Sequence, residues 1–592
     1  MIVYGDPCYE IQAAALLDRV RQWAGRASGH VQDGTDSSAR DGQADAAPQC
    51  GSADEWDVRR RLLIEAGQLE QALADRLGND PLVQRVMTVT DLAADAFLGY
   101  ADPGPTQKAL AEIELPPDLT VRVKVPEGFA FYALYPEQYA EAARRWSREH
   151  ADSDSKRAAV VGIRSIGTSL SAVVARVLVK AGWSVRRLTI RPTGHPYARR
   201  TEISSEAVRG AGFGLVVDEG PGLSGSSMAA AAQALVEAGI DRSKIFFFPG
   251  HRSGPGHAGN EDVRRWWADA PCYVVGLNEM TRNGRSLMEE LAYRSGPFVR
   301  VDDLSGGMWR RAVYASEDEW PAAFAAFERN KYRVVRCDGS SVLWKFEGLT
   351  GGAEAARDRM AWLAKRGWMA VPLDVAYGFV ARPWIEGKPL SRESCDSAIL
   401  AGIGCYIAEA AMPPVAKSEH EGAIKRLREM VYWNIRESLG ETAAESMREW
   451  MGEVVVPSGP SYGDGRLAPE EWLRGPGERL IKVDCSGHQA DHTLVGVQPV
   501  AWDLAGAIVE WGLEGEAARC LLSAFSAAGG KPPPVPALRF YCLAYAAFRL
   551  GQCAICSTRA DPEERRRLER AARFYRVRLL RESTRLDLGY SD

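Results

Sequence analysis

The sequence predicts a multidomain protein of the α/β and α+β classes, with a mostly parallel sheet in its middle and an α+β unit in its carboxy-terminal half. Three observations support this prediction. The chain has 592 residues, which is too many for one hydrophobic core. Between residues 158 and 277, apolar strand-like runs alternate with helical ones, as in right-handed strand–helix units. From about residue 300, a hairpin signal at Asp338-Gly339 replaces that alternation.

The amino-terminal region, residues 1–115, is predicted to be helical, because apolar residues recur there at helical spacing in two stretches. Between these stretches, residues 25–53 are rich in Gly, Ser, Asp and Ala and contain almost no large apolar side chain. Such a segment cannot bury enough apolar surface to fold, so it is predicted to be disordered. Pro116 and Pro117 mark the start of the next domain.

The middle domain, residues 116–300, is predicted from short apolar runs that are each followed by a polar, glycine-rich loop. An alternating, aromatic-rich stretch at 121–135 indicates edge strands. The remaining predicted strands are 158–163, 185–190, 214–217 and 244–249, and the predicted helices are 137–149, 170–181 and 228–238. Loops at the carboxyl ends of such strands are where open α/β sheets bind ligands.

The stretch 214–228 gives the strongest functional signal in the sequence. A short apolar strand leads into the acidic pair Asp218-Glu219, and a Gly/Ser loop, Ser224-Gly225-Ser226-Ser227, leads into an alanine-rich helix. Unpaired backbone N–H groups and the helix dipole favour a phosphate at such a helix start. Two carboxylates at the strand end suit ribose hydroxyls or a magnesium ion. The residue types therefore point to a sugar phosphate.

This stretch resembles the phosphoribosyl-diphosphate (PRPP) signature of type I phosphoribosyltransferases. The resemblance implies that Asp218 and Glu219 are the catalytic acidic pair on the ribose and that residues 224–227 bind the 5-phosphate. It also implies a diphosphate loop and a mobile hood-like loop, whose candidate residues are Arg164, Gly167, Thr168 and Arg199. The connection before Ser224 is one residue longer than the family pattern, which leaves open whether the donor sugar is PRPP itself.

The carboxy-terminal domain, residues 301–592, has a different pattern. Strands are predicted at 331–337 and 341–347, with Lys345 in the second, followed by a helix at 353–365 and a strand at 377–384. Tyr462-Gly-Asp464 lies in a later polar loop, and Asp484 ends an apolar run. A helical tail is predicted over residues 514–581.

In this order the motifs resemble the aminoglycoside phosphotransferase branch of the protein-kinase-like fold. The resemblance implies that Lys345 holds nucleotide phosphates, with Glu354 or Asp358 as its helical partner. It implies Asp464 as the catalytic base and Asp484 as the magnesium ligand. Phosphoryl transfer needs these residue types, because it depends on positioning and on neutralising charge.

The resemblance implies one further residue role, and the sequence also departs from the family pattern. Asp503, in a Pro-x-x-Trp-Asp-Leu-Ala element, is implied to support the catalytic loop. Tyr462 stands where the family has histidine. Pro469 stands at the position of its second metal-binding asparagine, with Glu470 and Glu471 as candidate substitutes. No glycine-rich loop of the kinase type precedes Lys345. The spacing of Asp484, His488, Asp491 and His492 also fits a zinc site built from imidazole and carboxylate. The two histidines are predicted instead to orient the loop or to contact substrate.

The composition places the protein among cytoplasmic enzymes. The net charge is −5 with acids and bases interspersed, so nucleic-acid binding is not indicated. Eleven scattered cysteines fit reduced thiols. No apolar run reaches the roughly 18–20 residues of a membrane helix, and no signal peptide opens the sequence. The expected partners are small-molecule substrates, and the sequence indicates no oligomeric state.

Three functions compete on these residues. The first is a bifunctional enzyme with Mg²⁺ as cofactor: a phosphoribosyltransferase that uses PRPP and releases diphosphate, fused to a phosphotransferase that uses ATP. The second is a non-catalytic sensor of PRPP or nucleotide with a pseudokinase scaffold. The third uses water as the acceptor at the first centre and hydrolyses a nucleoside or sugar phosphate. The sequence identifies neither the acceptor nor the pathway.

Overall fold

The structure is a computed structural model that describes residues 1–5, 7–29, 55–222, 224–256, 259–282, 284–414, 416–485 and 493–587. The chain divides into two compact units. The amino-terminal unit comprises Cys8–Glu290 and Gly348–Thr350, and the carboxy-terminal unit comprises Met1–Pro7, Leu291–Glu347 and Gly351–Asp592. Of the segment predicted to be disordered, residues 30–53 lie outside the described residues, and residues 25–29 include the end of the first helix.

The amino-terminal unit begins with helices and continues with alternating strands and helices. Its elements are β1 (Cys8–Gln12), α1 (Ala13–Ala27), α2 (Glu55–Leu77), α3 (Pro81–Phe97), α4 (Gly104–Ala111), β2 (Thr120–Lys124), α5 (Glu127–Ala130), α6 (Pro136–Glu149), β3 (Arg157–Ile163), α7 (Ile166–Lys180), β4 (Ser184–Ile190), β5 (Thr193–His195), β6 (Ala198–Arg200), β7 (Phe213–Val217), α8 (Ser226–Glu237), β8 (Ile245–Phe248), α9 (Glu261–Asp269), β9 (Thr281–Arg282), β10 (Arg285–Ser286) and α10 (Leu287–Arg294). The last helix continues past residue 290 into the other unit.

Four parallel strands form the central sheet of this unit, in the order β4-β3-β7-β8. One face, with Val160 and Leu215, packs against α6 and α7, and the other, with Val161 and Val216, packs against α8 and α9. Because both faces are covered, the central strands are apolar at nearly every position. The strands predicted at 158–163, 185–190, 214–217 and 244–249 are thereby confirmed.

The predicted edge strands at 121–135 are only partly correct. β2 is a strand, but it pairs with β1 in a separate antiparallel ladder. Beyond it, the chain turns at Pro126 into the short helix α5. Proline cannot donate to a strand ladder, and its fixed φ suits a helix start. The aromatic residues at 129 and 131 are buried without being in a strand.

The amino-terminal helices share a core with the sheet. Leu63 of α2 and Phe97 of α3 lie in the same apolar cluster as Val160 of β3. The almost completely buried side chain of Arg187 on β4 also donates to Glu70 of α2, at 2.9 and 3.0 Å. The boundary predicted between residues 115 and 116 therefore lies inside one compact unit.

The carboxy-terminal unit contains a five-stranded antiparallel sheet, ordered β11-β12-β13-β15-β14, and a set of long helices. Its elements are β11 (Phe298–Asp303), β12 (Lys331–Arg336), β13 (Ser341–Phe346), α11 (Gly352–Ala364), β14 (Asp374–Ala376), β15 (Phe379–Pro383), α12 (Ser397–Ala410), α13 (Lys417–Leu439), α14 (Glu441–Glu453), β16 (Trp472–Arg474), β17 (Leu480–Lys482), α15 (Ala501–Glu510), α16 (Gly515–Ala527), α17 (Val535–Ser557) and α18 (Pro562–Asp587). The helical tail predicted at 514–581 is confirmed as α16 to α18.

The first residues of the chain belong to this second unit, which the sequence did not predict. Val3 is fully buried in its core. The backbone of Ile2 is held from both sides by Asn434 of α13: the N–H donates to the amide oxygen at 2.7 Å, and the amide nitrogen donates to the carbonyl at 2.9 Å. Tyr4 stacks on Phe327 with ring centroids 4.9 Å apart.

The helices of the described residues include none that is long and apolar enough to span a membrane.

Candidate functional sites

In the carboxy-terminal unit, Lys345 lies on β13 and is almost completely buried. Its ammonium nitrogen is 2.6 Å from Oδ1 of Asp484 and 3.1 Å from Oε1 of Glu347. Burial alone would lower the pKa of Lys345, but these two carboxylates outweigh it and raise the pKa. Two residues that the sequence placed at one site, Lys345 and Asp484, are therefore in direct contact.

Glu354, the predicted helical partner of Lys345, is not one of these carboxylates. It lies in the first turn of α11 and is exposed, and Asp358 is also exposed and pairs with neighbouring Arg357. Glu347 takes that position because it follows β13 directly and its side chain is buried. The contribution of α11 is instead Arg359, which donates to the carbonyl of Gly463 at 2.8 Å.

The loop that carries Asp464 is held by the buried carboxylate of Asp503, at the start of α15. Three consecutive backbone N–H groups donate to it: Gly463 at 2.9 Å, Asp464 at 3.1 Å and Gly465 at 2.7 Å. Gly463 is required here, because a Cβ atom would lie 1.9 Å from the carbonyl oxygen of Ala410. The loop conformation is therefore fixed by one acid and one glycine.

Asp464 itself is fully enclosed by protein. The Tyr406 hydroxyl donates to Oδ2 at 2.5 Å, and the Lys482 ammonium nitrogen is 3.2 Å from the same oxygen. The side chains of Asp464 and Lys482 expose none of their surface. Burial, reinforced by nearby Asp503, raises the pKa of Asp464 to about 6 against the opposing effect of Lys482. The predicted base is therefore shielded from solvent in this conformation.

Lys482 belongs to this candidate site, and sequence reasoning missed it. It lies on β17 and also contacts Oε2 of Glu471, at 2.7 Å, and the main-chain oxygen of Asp484. Burial raises the pKa of Glu471 to about 7. One signal was available in the sequence. Leu480 and Lys482 lie two positions apart on a strand, so their side chains lie on the same face of it, and that face is buried.

A magnesium ion does not fit the acids of this site as they stand. Asp464 and Glu471 already contact the ammonium of Lys482, and Asp484 contacts that of Lys345. Within the described residues, no group of three metal-ligating side chains could hold a metal ion. The nearby candidates His488, Asp491 and His492 lie outside the described residues.

In the amino-terminal unit, Asp218 and Glu219 follow β7 at the carboxyl edge of the parallel sheet. Glu219 accepts a hydrogen bond from the backbone N–H of Gly128 at 2.6 Å. Burial raises the pKa of Asp218 to about 7 and that of Glu219 well above its usual value, and Glu127 adds to the latter shift. Carboxyls with such raised pKa values are typical of functional sites, although structural clusters also show them.

Arg164 follows β3, close to the acidic pair in the fold, but its guanidinium turns towards α2. There it lies 3.2 Å from Oδ1 of Asp75, which also pairs with Arg191. Although burial alone would raise the pKa of Asp75, the two arginines hold it below its usual value. Arg164, the arginine predicted for the diphosphate loop, is therefore paired within the unit.

The predicted diphosphate loop is shorter than expected because α7 begins at Ile166. Gly167 lies in the first turn and is required by packing, since a Cβ atom would lie 2.6 Å from the carbonyl oxygen of Val217. Thr168 is fully buried, and its hydroxyl finds no hydrogen-bond partner in the described part of the chain. Ser165, just before the helix, has a φ of +132°, a conformation that is rare outside glycine.

The predicted phosphate loop begins α8, with Gly225 in the left-handed conformation. The hydroxyls of Ser224 and Ser226 both donate to the carbonyl of Pro196, at 2.9 and 2.7 Å. Pro196 lies in the turn of the β5–β6 hairpin, at the position predicted for the hood-like loop. Ser227 and Arg199 are half-buried, and neither makes a side-chain hydrogen bond or ion pair within the described residues. The hairpin therefore occupies two of the predicted phosphate-binding hydroxyls.

Comparisons with known proteins find similarity in fold alone. No protein-family model and no curated protein sequence matches this chain. Among solved structures, choline kinase LicA from Streptococcus pneumoniae matches 49% of this chain and 98% of its own, at 15% identity and a TM-score of 0.33. Macrolide 2'-phosphotransferase MphH from Brachybacterium faecium matches 48% and 96%, at 16% identity and a TM-score of 0.32. Spectinomycin phosphotransferase APH(9)-Ia matches 50% and 96%, at 12% identity and a TM-score of 0.35.

About half of the chain is similar in fold to these proteins. At such low identity and TM-score, only the side chains of this protein can indicate what it does.

Proposed function

We propose that the carboxy-terminal unit is a kinase-like phosphotransferase domain that binds the phosphates of a nucleoside triphosphate beside Lys345. The observation that carries this proposal is the loop from Gly463 to Gly465, whose three amides donate to the carboxylate of Asp503. That support fixes the backbone of Asp464, while Lys345 and Asp484 meet in a second, partly buried contact. Phosphoryl transfer depends on such fixed positioning of a lysine and of carboxylates.

In the proposed reaction, an acceptor hydroxyl attacks the terminal phosphorus of ATP, the bond from that phosphorus to the bridging oxygen breaks, and ADP leaves. Asp464 accepts the proton of the hydroxyl. For this step, the Asp464 carboxylate must first exchange its contacts with Tyr406 and Lys482 for the acceptor. The acceptor class is a small molecule with a free hydroxyl.

Nucleotide binding is the first test, and it needs no acceptor. Titration of ATP against the full chain is expected to give saturable binding that Lys345→Met weakens by about tenfold or more, because the substitution removes a buried positive charge from the phosphate site. The matched control is Lys365→Met at the exposed end of α11, which should bind like wild type. Equal binding by wild type and Lys345→Met would refute the assignment of Lys345.

A second candidate function, phosphoribosyl transfer from PRPP, is favoured for the amino-terminal unit by one specific observation. Asp218 and Glu219 leave the parallel sheet at its carboxyl edge, and the loop at Ser224 opens the helix that follows the same strand. This arrangement suits a sugar phosphate. The reaction would form a bond from ribose C1 to an acceptor and release diphosphate.

Diphosphate release from PRPP, with and without a pool of nucleobases, tests this candidate. Acceptor-dependent release that Asp218→Asn abolishes would support transfer, and acceptor-independent release would point to hydrolysis. A PRPP-induced rise in melting temperature without release would point to a sensor. If neither release nor a melting shift occurs, the amino-terminal unit does not use PRPP.

A further inference from the structure

The ammonium group of Lys482 has the surroundings that a bound metal ion usually has. Its side chain is completely buried on β17. Four oxygen atoms lie around the nitrogen: Oε2 of Glu471 at 2.7 Å, Oδ2 and Oδ1 of Asp464 at 3.2 and 3.4 Å, and the main-chain oxygen of Asp484. An ammonium has three N–H donors, so these oxygens satisfy it fully.

Asp464 and Glu471 already have cationic partners. Both pair with Lys482, and Glu471 also pairs with Arg466 at 3.0 Å. A divalent ion placed between these acids would lie beside the buried ammonium of Lys482, and the repulsion between two neighbouring cations is strongly unfavourable in a buried site.

We propose that the Lys482 ammonium is the built-in cation of this site, so that Asp464 and Glu471 bind no divalent metal ion while it is present. The lysine holds the Asp464 carboxylate in place and neutralises it, as a metal ion would. This deepens the proposed phosphotransferase function by assigning the cation at its candidate base. The proposed role of Lys482 itself rests on the geometry of its oxygens and does not require that the unit transfer phosphate.

Removing the ammonium should uncover a metal site. In Lys482→Met, a neutral side chain of similar length leaves Asp464 without a cationic partner and Glu471 with Arg466 alone. Oxygen ligands of this kind suit Mg²⁺, Mn²⁺ or Ca²⁺. The matched control is Lys425→Met, because Lys425 is exposed on α13.

The test is Mn²⁺ binding to the full chain without nucleotide, measured by equilibrium dialysis and by the loss of the free Mn²⁺ electron-paramagnetic-resonance signal. Wild type and the control should bind no Mn²⁺ at this site, whereas Lys482→Met should bind a single ion that the further change Asp464→Asn removes. A folded Lys482→Met protein that binds no Mn²⁺ would overturn the proposal.

Wild type provides a test even if Lys482→Met does not fold. A single Mn²⁺ bound by wild type and absent from Asp464→Asn would overturn the proposal, and the absence of such an ion would support it. Failure of ATP binding in the separate nucleotide titration would refute the phosphotransferase assignment and leave the Lys482 result intact.

Discussion

The hydrogen bonds that the loop of residues 463–465 makes to Asp503 give a prediction that can be worked out from the structure. The proposed change is Asp503→Asn, which keeps the shape of the side chain and one acceptor oxygen. In the native site, Oδ2 accepts from Gly463 and Asp464, and Oδ1 accepts from Gly465. Whichever way the asparagine turns, its NH₂ group faces at least one backbone N–H, and two donors cannot bond to each other.

The size of the effect follows from the hydrogen bonds that the substitution removes or weakens. A hydrogen bond to a charged group contributes about 1.5–3 kcal/mol, and the remaining bonds weaken because the charge is gone. The free energy of opening the loop should therefore fall by about 2–4 kcal/mol. At 1.4 kcal/mol per factor of ten, this corresponds to amide exchange that is roughly 30- to 700-fold faster.

Hydrogen exchange of the peptide spanning residues 462–466, read by mass spectrometry, measures this destabilisation directly. A local measurement is needed because a chain with two compact units does not have to unfold in one step. The control is Asp358→Asn, since Asp358 is exposed and pairs with its neighbour Arg357 on α11. If a folded Asp503→Asn protein exchanges this peptide at the wild-type rate, the carboxylate does not hold the loop.

Three further predictions concern other parts of the two units. Gly463→Ala should lower the free energy of unfolding by about 3 kcal/mol or more, because its Cβ would meet the backbone of Ala410. The control Gly459→Ala, whose Cβ would have nothing within 4 Å, should melt like wild type. Equal melting temperatures of the two variants would contradict the contact. Asp75→Asn should release its two arginine partners and tighten binding of inorganic diphosphate, measured by calorimetry, and unchanged affinity would show that these arginines do not serve an anion. The stability of the amino-terminal unit should fall as the pH rises from about 4 to about 7. The reason is that Asp218, whose pKa is raised from 3.8 to about 7, binds its proton more tightly in the folded protein. A denaturation series in which Asp218→Asn keeps the wild-type pH dependence would contradict this.

Local sequence patterns predicted the parallel sheet well for a physical reason. A strand covered on both faces must be apolar at successive positions, and the runs at β3 and β7 have that composition. Helix starts were less predictable. The loop expected after β3 is mostly the first turn of α7, because the backbone at Ser165 turns sharply enough to begin the helix at once.

The candidate side chains were predictable as residue types but not in their partners. Lys345 and Asp484 are 139 positions apart, and no local pattern records that they touch. The choice of Glu354 followed the order of motifs, yet Glu347 is closer to the lysine because it continues the same strand. Asp75 was not considered at all. Its two arginine partners lie 89 and 116 positions further along the chain, and Asp75 itself lies on a helix that the prediction assigned to another domain.

In each candidate site, several polar groups already bond within the protein, and this sets a condition on any ligand. In the amino-terminal unit, Ser224 and Ser226 donate to Pro196, and Arg164 pairs with Asp75. A ligand that uses these groups must replace existing hydrogen bonds, so only the difference between the two sets of interactions contributes to binding. Variants that remove an internal partner should therefore bind more tightly than wild type if the group serves a ligand, and the same variants should only be less stable if the interaction is structural. This opposite sign separates a resting functional site from a purely structural cluster, and it applies equally to the Asp464 carboxylate that Lys482 holds in the other unit.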